Sequence, residues 1–415
     1  MKIQAIVPAV MLSLILAGCG NKNTPIDPVD PIDPNAPKFT LTVSNGYGSG
    51  SFQAGDTVHI WSTAAATAPD MIFDSWSGAT ELLVATQEWH MQFVMPAKDV
   101  LLAANYKTVA TYTVQYEQIR GKNNLKNVYS FFPANLRGVV YLLHGTGGSA
   151  AYWTNQVENK QLLNDLAANG FGCVITEAEE ITTGNDGNGD GKLRWIITPL
   201  DSVNNIDLAN LKVITDTLIQ RGKFTYATPR FALGMSNGGF FAFSLGSLFN
   251  YKGIVSYCAQ GNGTVAASTP VPVIWCMAQN DNNDGVGQTG NADALGYHQN
   301  RLALGLYSQY FVHGRSPVYP ERFLRASDID AARSTAIFNE LKNNACLDGK
   351  NYIMLSPASI DAAITANAAL WPTYTSLNTT QQRFVATQVD IMYAEHQFFS
   401  DFNKQTLALL NALSQ

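Results

Sequence analysis

Ser236 lies at the centre of the pentapeptide Gly234-Met235-Ser236-Asn237-Gly238, between an apolar run and a run with helical character. A strand, a sharp turn and a helix in that order would place the serine at the apex of the turn. Glycines two positions to either side remove the Cβ atoms that would clash at such a bend. The pattern therefore predicts an exposed hydroxyl that becomes a nucleophile if a base lies beside it.

A second glycine-rich segment, His144-Gly145-Thr146-Gly147-Gly148-Ser149, directly follows the strand predicted at 138–143. Its glycines would let backbone amides point inward, where they could bind the negative oxygen of an acyl-transfer intermediate. We expect the donors to be the amides of Thr146 and Asn237. The segment also fits the G-x-G-x-x-A turn of dinucleotide-binding proteins, with Glu177 at the end of the next strand, but that interpretation leaves the serine turn unexplained.

A nucleophilic serine needs a histidine base, and the histidine needs an acid that sets its tautomer. Asp281 follows the apolar strand predicted at 271–277. It would lie just past the carboxyl end of that strand, where catalytic groups collect in open α/β sheets. We therefore expect Asp281 to be the acid, and Asp284 in the same loop is the alternative.

Three histidines follow the acid in the chain. His298 falls in a predicted helix and is expected at the surface. His396 follows the apolar run 389–394, predicted to be a strand, and precedes the last helix, which is where the base should lie. His313 is the alternative base, and Glu395 is interpreted as a solvated charge.

The segments 144–148 and 234–239, with an acid and a base following in that order, resemble the α/β-hydrolase superfamily. Within it they are similar to exported esterases of the polyhydroxyalkanoate-depolymerase and feruloyl-esterase type. The resemblance covers roughly residues 125–285 and resumes near His396. The long segment before His396 and the acid loop 281–284 depart from the pattern, which leaves the acyl and alcohol groups of the substrate open.

The resemblance implies an α/β-hydrolase fold and a catalytic triad of Ser236, Asp281 and His396. It also implies cleavage of a small-molecule or polymeric carboxylic ester through an acyl-enzyme, with no required cofactor. Two other functions stay open: a serine peptidase on the same fold, and a non-catalytic surface-binding protein that keeps the fold.

The composition limits the class of partner. The chain has 415 residues, too many for one typical core, so two domains are expected. The net charge is −6, and no cluster of Lys and Arg offers a footprint for phosphates, which argues against nucleic acid. No two cysteines have the spacing of a C-x-x-C pair, so no metal site is predicted from them.

The N-terminus has the pattern of an export signal. Lys2 is followed by a mostly apolar stretch, Ile3 to Leu16, that is short for a membrane span. The tetrapeptide Leu16-Ala17-Gly18-Cys19 resembles the lipobox of bacterial lipoproteins, which implies removal of residues 1–18 and acylation of Cys19. Because Gly20 stands where Asp would retain a lipoprotein in the inner membrane, we expect a lipid anchor in the outer membrane or at the cell surface.

Three further regions follow the signal peptide. Residues 19–37 are rich in Pro and Asp and form an extended spacer. Residues 38–107 have short strand patterns and resemble a divergent internalin-type B-repeat through the segments 73–78 and 93–100, which suggests a spacer or a weak binding module. Its tryptophans are expected in the core of the module, not on an exposed binding platform: Trp61, Trp76 and Trp89.

From residue 108 to 415, strands and helices alternate, which predicts an α/β sheet. Residues from about 307 to 385 fit no single strand–helix unit and are interpreted as a lid-like insertion. The predicted fold class is therefore an α/β-hydrolase fold with this insertion, preceded by a small all-β module.

The segment Asp186-Gly187-Asn188-Gly189-Asp190-Gly191 matches the beginning of a calcium-binding loop. Ile197 stands where such a loop has its bidentate glutamate. A structural calcium ion and a polar surface loop are both compatible with the pattern, and the missing glutamate favours the surface loop.

Overall fold

The computed structural model describes residues 36–63, 70–326 and 328–415. The signal peptide, Cys19 and nearly all of the spacer lie outside the described residues, so the expectations about export and anchoring stay predictions. Residues Lys38–Gln415 form one compact unit. Within the described ranges, no helix has both the length and the hydropathy that crossing a bilayer requires.

Residues 38–108 fold into two small sheets, formed by β1 Lys38–Ser44, β2 Gly46–Tyr47, β3 Gly50–Gln53, β4 Thr57–Ser62, β5 Met71–Gly78, β6 His90–Val94 and β7 Val100–Thr108. One sheet has the strand order β3-β1-β7-β5 and the other has the order β2-β4-β6. Trp61, Trp76 and Trp89 are all buried in the core of this region. They are therefore core residues and form no exposed platform.

A large sheet follows, formed by β8 Gln115–Arg120, β9 Leu125–Phe131, β10 Gly138–Leu143, β11 Phe171–Ile175, β12 Arg230–Met235, β13 Gly253–Tyr257, β14 Val273–Ala278 and β15 Ser308–His313. The strand order is β8-β9-β11-β10-β12-β13-β14-β15. The first two strands form an antiparallel hairpin, β9 is antiparallel to β11, and the strands from β11 to β15 run parallel. This order is that of the α/β-hydrolase fold, which confirms the predicted fold class.

Helices cover both faces of the large sheet, which is why its central strands are apolar throughout. The helices are α1 Tyr152–Asn155, α2 Val157–Ala168, α3 Glu179–Thr183, α4 Ile206–Gln220, α5 Asn237–Leu248, α6 Gly263–Ser268, α7 Gly287–Ala303, α8 Ala331–Asn343, α9 Pro357–Ala366, α10 Pro372–Thr375, α11 Thr379–Tyr393 and α12 Asn403–Ala412. Helices α4 and α5 contribute to the core on one face. Helices α2 and α12 contribute to the core on the other.

The segment between β15 and His396 is helical and has a core of its own, to which Phe323, Trp371 and Phe384 contribute. Residues 308–313, assigned from the sequence to the insertion, form instead the edge strand β15 of the large sheet. The run 389–394, predicted to be a strand, is instead the end of helix α11. A short apolar run does not distinguish the two, and here the helix is set by a capping box between Asn378 and Gln381.

Candidate active site

Ser236 lies between strand β12 and helix α5, with φ 57° and ψ −127°. This backbone conformation is rare for a residue with a side chain, and it aims the hydroxyl away from the sheet. A Cβ atom on Gly234 would overlap the Gly238 carbonyl, and one on Gly238 would overlap the Leu143 carbonyl. The two glycines are therefore required because the strand, the turn and the helix pack without space for a side chain.

Hydrogen bonds connect Asp281, His396 and Ser236 in series. The Ser236 Oγ lies 2.8 Å from the His396 Nε2, and the His396 Nδ1 lies 2.7 Å from the Asp281 Oδ2. Because a carboxylate only accepts, Nδ1 carries the proton and Nε2 is left to accept from the serine hydroxyl. The structure therefore brings the three predicted residues together in the geometry of a nucleophile, a base and an orienting acid.

Asp281 is 1% exposed, and both oxygens of its carboxylate accept hydrogen bonds. Its Oδ1 accepts from the amides of Asn283 and Gly287, while its Oδ2 accepts from His396. The amides of Asn283 and Gly287 reach the carboxylate because the chain turns sharply between β14 and α7. These hydrogen bonds fix the position of the carboxylate, which can therefore hold an imidazole in one orientation.

Asp284, the alternative acid, and the histidines His313 and His298 are not part of this series of hydrogen bonds. Asp284 is exposed and makes no hydrogen bond or ion pair within the described ranges. The His313 Nε2 donates to the Ile391 carbonyl at 2.8 Å, and the His298 Nδ1 lies 2.8 Å from the Ser308 Oγ. Neither histidine contacts Ser236.

The amides of Thr146 and Asn237, the expected donors to an oxyanion, belong to residues near Ser236. Both residues line the same cleft as Ser236, and neither amide donates to another group among the described residues. Asn237 is the first residue of α5, whose initial amides have no partner inside the helix. Its side chain is fixed, since the Asn237 Oδ1 accepts from the Trp195 amide at 2.7 Å.

His144 anchors the glycine-rich loop. Its Nδ1 donates to the Gly145 carbonyl at 2.7 Å, and its Nε2 accepts from the Ala178 amide at 3.1 Å. Burial lowers the pKa of His144 to about 4, so the ring is neutral near pH 7. This side chain therefore positions the loop that carries Thr146.

Glu395 is a residue whose surroundings the sequence did not reveal. It was expected to be a solvated charge, but the residue is 9% exposed. Its Oε1 accepts from the amides of Asn282 and His396, each at 2.9 Å, and its Oε2 is buried without a partner among the described residues. One oxygen thus holds the acid loop against the loop of the base. Its place beside His396 was the one signal available in the sequence.

We expect Glu395→Ala to lower kcat about tenfold, because it leaves two part-buried amides without an acceptor, at a cost of about 1–2 kcal/mol. Glu395→Gln keeps an oxygen at the same position and is the matched control. Steady-state kinetics and thermal unfolding of both variants would test this. Wild-type kcat in the alanine variant would show that the carboxylate does not position His396.

Ser236 opens onto a cleft of about 680 Å³. Tyr152 and Phe240 add apolar wall, whereas Lys192 and Arg194 add positive charge, and no described residue lining the cleft has a carboxylate. Arg194 is paired with Asp190. Lys192 is exposed and has no such partner within the described ranges.

Lys192 and Arg194 follow the segment 186–191, which matches the beginning of a calcium-binding loop. The Asp186 carboxylate accepts from the amides of Asn188, Gly189 and Gly191, so its oxygens stabilise the loop itself. Calcium binding there stays a prediction, and calorimetric titration with calcium would test it.

One group of described residues has ligand atoms close enough to share a metal ion. The Cys258 Sγ lies within 4.8 Å of ligand atoms of Asp281 and His396. Burial raises the pKa of the Cys258 thiol well above its usual range, so the sulfur keeps its proton. Because Asp281 and His396 already bond to each other, their proximity is explained without an ion.

Comparisons with known proteins identify neither a family nor a substrate. No protein-family model matches the chain, and no curated protein matches it. A dienelactone hydrolase from Anabaena variabilis is similar in structure, with 14% identity and a TM-score of 0.35, over 48% of this chain and 85% of the other. A ferulic acid esterase has 14% identity and a TM-score of 0.35, over 48% and 90%. An acylaminoacyl peptidase from Pyrococcus horikoshii has 9% identity and a TM-score of 0.34, over 65% and 45%.

Proposed function

We propose that this protein is a serine hydrolase that cleaves carboxylic esters. The observation that carries the proposal is the continuous series of hydrogen bonds from Asp281 through His396 to the Ser236 hydroxyl. The free amides of Thr146 and Asn237 beside that hydroxyl supply the second requirement of acyl transfer, which is a site for the oxyanion.

The reaction follows from these positions. The Ser236 Oγ attacks the carbonyl carbon of the ester while its proton passes to the His396 Nε2. The carbonyl oxygen becomes an oxyanion and accepts from the amides of Thr146 and Asn237. The C–O bond to the alcohol then breaks, the alcohol leaves with the proton from His396, and an acyl group stays on Ser236. Water attacks this acyl-enzyme with His396 again as the base, which releases the acid and restores Ser236.

A fluorophosphonate probe tests the proposal because it reacts with activated serines. We expect the folded protein to be labelled at Ser236, as found by peptide mapping, and the denatured protein to stay unlabelled. We also expect hydrolysis of p-nitrophenyl acetate to exceed that of the matched p-nitroanilide. Absence of both labelling and turnover would favour a non-catalytic binding protein, and preference for the anilide would favour a peptidase.

The charge of the cleft favours esters that carry an anionic group. We expect Lys192→Gln to lower kcat/KM for mono-p-nitrophenyl glutarate about threefold and to leave p-nitrophenyl valerate unchanged. An exposed charge pair contributes about 0.2–1 kcal/mol, and 1.36 kcal/mol corresponds to a factor of ten. Lys223→Gln, which removes an exposed lysine outside the lining of the cleft, is the control. An equal fall for both esters would contradict the preference.

We propose in addition that Cys19 carries a lipid anchor in a bacterial envelope. The proposal rests on the tetrapeptide Leu16-Ala17-Gly18-Cys19. Metabolic labelling with an alkyne fatty acid would test it, because the label should be incorporated by the wild type and absent from Cys19→Ala.

A further inference from the structure

A series of hydrogen-bonded, largely shielded side chains crosses from the insertion, through the β module of residues 38–108, to the C-terminal segment. The Tyr352 hydroxyl lies 2.8 Å from the His59 Nε2, and the His59 Nδ1 lies 3.0 Å from the His90 Nε2. The His90 Nδ1 then lies 2.7 Å from the Asp401 Oδ1. Two of the six histidines of the chain are thus used at this contact between the module and the rest of the protein.

The series continues on the other side of Asp401. The His313 Nδ1 lies 3.7 Å from the Asp401 Oδ2, and the His313 Nε2 donates to the Ile391 carbonyl at 2.8 Å. Ile391 and Asp401 flank His396 at equal distances along the chain. His313 therefore contacts both ends of the segment 391–401, which carries His396: it makes a hydrogen bond to Ile391 and an ion-pair contact with Asp401.

The directions of these hydrogen bonds are set by chemistry. The Asp401 carboxylate accepts, so the His90 Nδ1 carries a proton and its Nε2 accepts from the His59 Nδ1. Burial lowers the pKa of His59 to about 3 and lowers that of His90, so both rings are neutral near pH 7. The His59 Nε2 is then left to accept from the Tyr352 hydroxyl.

Asp401 is the charged centre of the group. Burial would raise the pKa of its carboxyl, but the electrostatic interaction with His313 and the hydrogen bond from His90 outweigh burial and hold the pKa well below its usual range. Its side chain is 11% exposed, and Arg322 adds a positive charge nearby. A largely shielded anion with these partners is held in one position, because movement would weaken its pairing.

We propose that the β module is a positioning element for the base of the active site, with His90 and Asp401 as the positioning residues. This proposal rests on the proposed function. A catalytic hydrogen bond tolerates little displacement, since an error of about 1 Å can cost on the order of 100-fold in rate. The module therefore acts on catalysis by fixing the segment that carries His396, not as a spacer.

The experiment compares His90→Leu, which removes the donor to Asp401, with His90→Asn, whose side-chain amide can replace the Nδ1 donor. Asp401→Asn removes the charge, and Gln92→Ala changes an exposed residue of the same strand as a control. In the full-length protein, we expect His90→Leu and Asp401→Asn to lower kcat about tenfold, with KM within about twofold of wild type. His90→Asn should recover most of kcat. The double variant that combines His90→Leu with Asp401→Asn should have a kcat no lower than that of the poorer single variant.

Two further measurements separate positioning from stability. Circular dichroism and thermal unfolding establish that each variant is folded at the assay temperature. Proton NMR follows the downfield signal of the His396 Nδ1 proton shared with Asp281, and we expect this signal to shift or broaden in His90→Leu and to persist in Gln92→Ala. If one variant fails to fold, the other carries the test.

Wild-type kcat and an unchanged signal in folded His90→Leu and Asp401→Asn would overturn the proposal. A loss of activity that only follows the unfolded fraction would also overturn it. If the wild type hydrolyses no ester, the proposed function fails, whereas the NMR signal still reports whether His90 positions His396.

Discussion

Replacing Ser236 by alanine is expected to lower kcat for p-nitrophenyl butyrate by about 10⁴-fold or more, with little change in the free energy of unfolding. The substitution removes the Oγ that lies 2.8 Å from the His396 Nε2, so no acyl-enzyme can form. The amides of Thr146 and Asn237 remain and continue to stabilise an oxyanion, which leaves a small residual rate for direct attack by water. Stopped and continuous assays of the purified variant would measure this rate.

The matched control is Ser247→Ala. Ser247 lies on the same helix α5, but its Oγ donates to the Thr269 Oγ1 at 2.9 Å, away from the cleft. We expect the control to keep kcat within about twofold of wild type. Equal rates for Ser236→Ala and wild type would remove Ser236 from the mechanism and with it the proposed function.

The second large effect is expected at the acid. Asp281→Asn should lower kcat about 10³- to 10⁴-fold, because an amide at this position can donate to the His396 Nδ1 and so favour the tautomer with its proton on Nε2. That tautomer cannot accept the proton of Ser236. The amides of Asn283 and Gly287 would still find an oxygen acceptor on the new side chain, so the loop should keep its conformation.

Asp284→Asn is the matched control for the acid, since it makes the same chemical change in the same loop. Asp284 is exposed and makes no hydrogen bond or ion pair in the described part of the chain. We expect its kcat to stay within about twofold of wild type. The reverse result, a large loss in Asp284→Asn and none in Asp281→Asn, would assign the acid to Asp284.

The positions of Ser236 and Asp281 in the fold could be predicted because their signals are local. The backbone of the sharp turn after β12 tolerates no side chain at Gly234 or Gly238. The need for glycine therefore shows in residues adjacent to Ser236. Asp281 lies three residues after the end of a continuous apolar strand, and the end of such a strand is a definite place in an α/β sheet. The predicted fold class follows from the alternation of strands and helices along the chain, whereas the strand order is seen only in the structure.

The surroundings of the base depend on contacts between residues distant in the chain. His396 follows the helix α11 where a strand was expected, because short apolar runs are ambiguous until packing selects a conformation. Whether a charge such as Glu395 is solvated or buried depends on which loop lies against it, here that of Asn282. Likewise, nothing near His90 in sequence indicates Asp401. Requirements set by adjacent residues can be predicted from the sequence, whereas contacts between residues distant in the chain form only when the chain folds.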